Sequence, residues 1–160
     1  MRCAVITISD TRQANDDFSG DKLAEVLVQF GASIEIRQIV TDDVADISDT
    51  LSLISNRQDI DVIFTTGGTG FSPRDNTPEA TLAVIEREAP GMSEAMRRET
   101  AAKHPMAMLS RGVCGIRGRT LIVNLPGSPR GVEECYEVIR PVLRHAIELI
   151  RDAHKFHESH

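Results

Sequence analysis

At 160 residues, with 41% hydrophobic and 26% charged residues, the chain is long enough for one domain with a substantial core and too short for two ordinary ones. Its formal net charge of −6 argues against general nucleic-acid binding, which needs a basic face to displace phosphate counterions, but leaves room for a small anionic ligand. No run is long enough to span a bilayer, and Cys3-Ala4-Val5-Ile6 before Thr7 falls far short of a signal peptide's apolar region, so neither membrane insertion nor export is expected. Cys3, Cys114 and Cys135 are odd in number, widely spaced and each set in an apolar pattern. They read as reduced, buried thiols of a cytoplasmic protein.

Cys3-Ala4-Val5-Ile6-Thr7-Ile8 is a short β-branched run ended by Ser9-Asp10, the pattern of a buried strand. Leu23, Val26, Leu27 and Phe30 recur at helical spacing and Gly31 supplies a stop. Ser33 to Val40 alternates like a half-covered strand, and Val44, Ile47, Leu51 and Ile54 mark one face of a second helix. Asp61-Val62-Ile63-Phe64-Thr65 is a third strand, followed by Thr66-Gly67-Gly68-Thr69-Gly70-Phe71-Ser72-Pro73-Arg74-Asp75. Thr77-Pro78 predicts a helix start with the Thr77 hydroxyl as N-cap. Pro90-Gly91 then breaks the chain ahead of a helix from Met92 to Lys103. Val113–Ile116 and Thr120–Leu125 flank Arg117-Gly118-Arg119 as a hairpin. Pro126-Gly127-Ser128-Pro129 opens a last helix with Val132, Cys135, Ile139, Val142 and Ile150 as apolar positions and Pro141 inside it. Residues 1–152 form one domain, and 153–160 read as a polar, frayed tail in which His154, His157 and His160 are solvated rather than metal ligands. Strands alternating with helices predict βαβ units, a mainly parallel sheet and helices on both faces.

Chemistry concentrates after the strands. Glycine permits positive φ and close approach of an incoming group, and successive amides in such a turn form an anion-binding concavity. Ser9-Asp10, Asp42-Asp43, the glycine loop with Asp75, and Asn124 to Ser128 all follow predicted strands, and ligands of open α/β sheets bind beyond the strands' carboxyl ends. Each cluster also has a plain structural reading. Asp42 or Asp43 can cap the helix that starts near Val44, Ser9-Asp10 can end a strand by local hydrogen bonds, and Ser128 can cap the last helix or mark a phosphate site. The loop has neither the lysine of a P-loop nor G-x-G-x-x-G, and H-E-x-x-H, C-x-x-C and G-x-S-x-G are absent from the chain. An acidic pair beside a phosphate cradle remains, which suits Mg²⁺ held by one or two carboxylates together with substrate phosphates.

The stretch G-G-T-G-F-S-P-R-D-x-T-P-E-A-T, with Ile8-Ser9-Asp10, Asp42, Ser110-Arg111 and Ile122-Val123-Asn124-Leu125-Pro126-Gly127, strongly resembles the MoaB/Mog family of molybdenum cofactor biosynthesis, over about Cys3 to Ile150. The resemblance implies a three-layer α/β/α sandwich with a small hairpin subdomain, assembled as a homotrimer or hexamer and working with a molybdenum-insertion protein. It implies Mg²⁺-dependent adenylylation of molybdopterin by ATP, giving adenylyl-molybdopterin and pyrophosphate, or alternatively non-catalytic molybdopterin binding. By position, Asp42 and Asp75 correspond to the functional acids, acting on Mg²⁺ directly or through water. Gly67, Gly68, Thr69 and Gly70 correspond to the phosphate cradle, and Ser9, Asp10, Thr100, Met108, Ser110, Asn124 and Gly127 to contacts with substrate. Arg74 corresponds to a charge-neutralising or structural cation. The chain departs from the family in having Thr41 before Asp42, where Pro is common, and Asp21 after Ser19-Gly20.

Overall fold

The computed structural model describes the backbone of residues 1–158 and the side chains through Asp152, so the tail histidines lie outside the described side chains. Strand β1 (Arg2–Ile8) is followed by helix α1 (Phe18–Gln29), β2 (Ser33–Val40), α2 (Val44–Ser55), β3 (Val62–Thr66), α3 (Thr77–Leu82) and β4 (Arg87–Glu88). Helix α4 (Pro90–Ala101), a 3₁₀ turn (Pro105–Leu109), β5 (Cys114–Arg117), β6 (Thr120–Leu125) and α5 (Pro129–Glu158) complete the chain. One six-stranded sheet runs in the order β2-β1-β3-β6-β5-β4. The pairs β1–β2, β1–β3 and β3–β6 are parallel, whereas β6–β5 and β5–β4 are antiparallel.

Alternation along the strands produces the three layers. Cys3 and Val5 of β1, Phe64 of β3 and Val123 of β6 pack with Leu23 and Leu27 of α1 and Tyr136 and Ile139 of α5. Ala4, Ile6 and Ile8, with Ile63 and Ile122, face Ile47 and Leu51 of α2 and Ala80 of α3 in a second core. Both faces of β1, β3 and β6 are covered, which is why these strands read as unbroken apolar runs rather than alternating ones. The edge strand β2 alternates, as expected for a strand with one face in water.

Four local expectations differ from the structure. The Thr77 hydroxyl does not cap α3; Asn76 is the N-cap, and Thr77 Oγ1 instead donates to the Gly67 carbonyl at 2.9 Å. Pro90 does not interrupt the chain but occupies the first turn of α4, where its missing N–H would have no partner in any case. Val142 is half exposed, and the neighbouring Leu143 carries the core face of α5. The last helix continues through Glu158 instead of ending near Asp152, with Pro141 inside it. Strand β4 escapes notice in the sequence because only Arg87 and Glu88 pair, opposite Ile116 and Gly115. A Cβ on Gly115 would come within 2.9 Å of the Arg87 carbonyl, so glycine there permits the approach.

Candidate active site at the carboxyl ends of the strands

Because β2, β1, β3 and β6 are parallel neighbours, the segments that follow them meet along one edge of the sheet. Ser9 and Asp10 follow β1, Asp42 follows β2, the glycine loop follows β3, and Pro126–Ser128 follow β6. The two adjacent acids after β2 divide the work. Asp43 caps α2, accepting from the Asp46 amide at 3.1 Å. Asp42 turns toward β1: the Asp10 amide donates to Asp42 Oδ2 at 3.0 Å, and the Asp42 amide donates to Asp10 Oδ1 at 2.8 Å. Arg74, from the glycine loop, pairs with the other oxygen of Asp10. Asn76 Nδ2 donates to the Asp42 carbonyl at 3.0 Å, tying the segment just after Asp75 to the end of β2. Asp42 and Asp75 therefore stand on the same edge.

The glycine loop is held by its carbonyls. Gly67 and Gly68 adopt φ of 99° and 67°, and a Cβ on either would collide, with the Ile8 carbonyl at 2.6 Å and Thr77 Oγ1 at 2.3 Å. Thr77 takes the carbonyls of Gly67 and Gly68 through its hydroxyl and amide. Arg111 takes the next ones: its amide donates to Thr69 O at 2.7 Å, its Nε to Gly70 O at 2.8 Å and its Nη2 to Asp75 O at 2.8 Å. Among the described residues, the amides of Gly68, Thr69 and Gly70 make no hydrogen bond. A loop whose carbonyls are occupied and whose amides are free is an anion cradle. Asp75 closes the turn by accepting from the Ser72 amide at 3.0 Å.

The loop forms one wall of a 530 Å³ cleft, a size suited to a small-molecule ligand. Gly68, Thr69, Gly70, Asp75, Thr100, Ser110, Asn124 and Gly127 line it. Gly67, Ser9, Asp10 and Asp42 are not among the lining residues. Met108 is exposed and lies outside the lining, which takes Met106, Ala107 and Leu109 from the same 3₁₀ turn. Ser9 accepts from the amides of Thr11 and Arg12 and so shapes the turn after β1. Arg12 then reaches across to the Gly127 carbonyl at 3.0 Å and to Ser19. Asn124 is 2% exposed and fully engaged, accepting from the Val113 amide and donating to Thr65 and Thr81. Its amide is a strut under the cleft floor. Ser128 caps α5 through the Gly131 amide at 3.1 Å. The lining residues that the sequence did not single out for the site include Arg130, Glu134 and His104, which complete the wall formed by α5 and the end of α4.

Electrostatics distinguishes the acids. Desolvation, then the Asp10 and Asp75 charges, push the Asp42 carboxyl above its ordinary range against the pull of the Asp10 amide and Arg74. Asp10 moves down, held ionised by the Asp42 amide and by Arg74. Among the described residues no three His, Cys, Asp or Glu side chains converge as a closed metal site. The donor set fits a hard cation such as Mg²⁺ that shares one or two carboxylates with a bound phosphate, and excess negative charge at Asp42 favours such a cation.

Comparison with known proteins places the chain in a family. A family described as "Probable molybdopterin binding domain" matches residues 4–145. The chain belongs to this family of molybdopterin-binding domains. The Molybdenum cofactor synthesis protein cinnamon of Drosophila melanogaster is 44% identical over 92% of the chain, which spans 25% of that longer protein. The Molybdopterin adenylyltransferase of Helicobacter pylori (strain J99) is 37% identical over 94% of the chain and 88% of its own length. The crystal structure of the molybdopterin biosynthesis enzyme MoaB from Thermus thermophilus superposes with a TM-score of 0.86 at 45% identity, covering 93% of this chain and 95% of the other. The three-layer architecture is thus that of the molybdopterin-binding domains, with the free amides and the acids beyond the carboxyl ends of its parallel strands.

Proposed function

We propose that this chain is a molybdopterin adenylyltransferase, moving AMP from ATP to the terminal phosphate of molybdopterin and releasing pyrophosphate. The observation that carries the reading is the glycine loop, with free amides and occupied carbonyls, beside Asp75 and Asp42. The similarity to the Helicobacter pylori protein of that name over most of both chains supports it.

The attacking phosphate is already anionic near neutral pH, so the reaction needs orientation and charge neutralisation more than a general base. The amides of Gly68, Thr69 and Gly70 bind phosphate oxygens, with Thr69 carrying its backbone on the loop that Arg111 anchors. Asp42 and Asp75 are the residues that would hold Mg²⁺, directly or through water, and the ion when bound offsets charge on the triphosphate. Arg74 sits against Asp10 and adds positive charge at the same edge. Ser110, Thr100 and Gly127 shape the cleft. Residues 1–152 act as one domain, and a homotrimer is the minimal assembly, its contact made by Met92 to Met108, a stretch rich in small and flexible apolar residues. No described helix is long and apolar enough to cross a membrane, consistent with a cytoplasmic enzyme that hands its product to a molybdenum-insertion protein.

Pyrophosphate release from ATP, molybdopterin and Mg²⁺ tests the reading directly. Asp75→Asn should keep the fold and lower turnover by about 10²-fold, the scale of removing one preorganised electrostatic group. Wild-type protein that binds molybdopterin without releasing pyrophosphate would instead be a binding protein.

A further inference from the structure

Glu134 lies on α5 one turn after Arg130, whose Nε donates to Glu134 Oε1 at 3.0 Å. On the other side His104, between α4 and the 3₁₀ turn, brings Nε2 to 3.3 Å from the same oxygen. All three residues line the cleft that also holds Asp75 and the glycine loop. The Glu134 side chain is only 16% exposed, and both neighbours approach Oε1. Among the described residues Oε2 has no hydrogen-bond partner, so this cleft-lining carboxylate keeps acceptor capacity. A surface i, i+4 pair would need no such placement; here the pair forms part of the wall of a ligand-sized cavity.

We propose that Glu134 reads the amino–imino edge of the pterin ring, with Arg130 and His104 setting its orientation. This inference rests on the reading of molybdopterin as the acceptor. The pyrimidine half of a pterin presents the N2 amino group and N3–H as two adjacent parallel donors, followed by the O4 acceptor. With Oε1 engaged by Arg130 and approached by His104, Oε2 is the open acceptor, and its two lone pairs can take both adjacent N–H groups, as one carbonyl oxygen does from the paired N–H groups of a urea. Adenine places its amino donor beside the N1 lone pair, so the same carboxylate would gain one bond and face one repulsion. The acid therefore selects pterin over adenine at this wall and leaves the triphosphate to the glycine loop.

Adenylyl transfer by wild-type protein and by Glu134→Gln tests this. A glutamine keeps the shape but must turn its NH₂ either toward the two pterin donors or toward Arg130, so one side loses its acceptor. The KM for molybdopterin should rise about 10- to 100-fold, the worth of hydrogen bonds to a charged group, while that for ATP changes by less than about twofold. A second measurement separates reading from packing. In fluorescence titrations 6-hydroxymethylpterin should bind wild-type protein at least about 10-fold more tightly than its N3-methyl analogue, and Glu134→Gln should show no preference. If both substrates' KM values rise together, or the variant discriminates the methyl group as well as wild type does, Glu134 only braces the wall and the inference fails. Should Glu134→Gln not fold, Glu134→Asp, which shortens the reach, carries the same comparison. The two layers fail separately. Absent pyrophosphate release with intact N3 discrimination removes the transferase reading alone, and normal transfer with no discrimination removes the role of Glu134 alone.

Discussion

Asp42 and Asp10, just beyond neighbouring strands, each donate a backbone amide hydrogen bond to the other's carboxylate, yet their carboxyls are shifted in opposite directions. Desolvation and the Asp10 charge raise the pKa of Asp42 in the folded state, so its ionised form is disfavoured there relative to the unfolded chain. That penalty grows as pH rises from the ordinary carboxyl value through the raised one, and it is present in full at neutral pH. Asp42→Asn should therefore raise the unfolding midpoint at pH 7 by about 2 °C or less, with the gain disappearing near pH 3; calorimetry at the two pH values reads the difference. The same substitution should abolish transfer if Asp42 serves the metal, so stability and activity move in opposite directions at this position. Helix capping alone leaves the choice between Asp42 and Asp43 open, because either position can cap, whereas the family resemblance points to Asp42. The structure decides it through the direction of the chain: Asp43 bonds forward to Asp46, and Asp42 bonds sideways to β1.

Asn124 shows how one side chain holds several elements in register. It sits on β6, receives the Val113 amide from the approach to β5, and donates to Thr65 of β3 and Thr81 of α3. All these groups are buried, so removing the amide leaves several polar atoms without their protein partners. Asn124→Ala is expected to cost about 2–4 kcal/mol, measured by urea unfolding, and to weaken substrate binding only through the displaced cleft floor. Arg111 acts similarly on the loop. Its planar fork reaches the Gly70 and Asp75 carbonyls and pairs with Glu79, while its own amide takes the Thr69 carbonyl. A lysine cannot reproduce that fork. The resemblance named Ser110-Arg111 and Asn124 among its motif residues, but that the Arg111 and Asn124 side chains serve the scaffold follows only from the hydrogen bonds.

At the scale of the whole molecule, α4 and α5 leave an apolar groove containing Ala89, Gly91, Met92 and Val142, and Met106 and Met108 are also exposed. Exposed apolar area of this kind suits contact with further copies, and light scattering should give a mass three times that of one chain; a monomer at working concentration would sink the proposed trimer. The thiols of Cys3 and Cys114 are buried, with desolvation pushing both up to about 12, and that of Cys135 to about 11, which agrees with inert structural cysteines. Local order along the chain is enough to place the strands, most of the helices and the glycine loop, because these depend on periodicity and turn chemistry within a few residues. It also places the chemical clusters after strands, and parallel strands bring such positions to one edge. Which acid faces inward, which hydroxyl caps a helix and which holds a loop, and which residues close the cleft depend on partners distant in sequence. Arg130 and Glu134 look like an ordinary solvated pair on an amphipathic helix until His104, brought in by the corner after α4, and the glycine loop after β3 are folded against the same cavity. Periodicity reports which face of an element is buried; only packing reports what that face, or its opposite, meets.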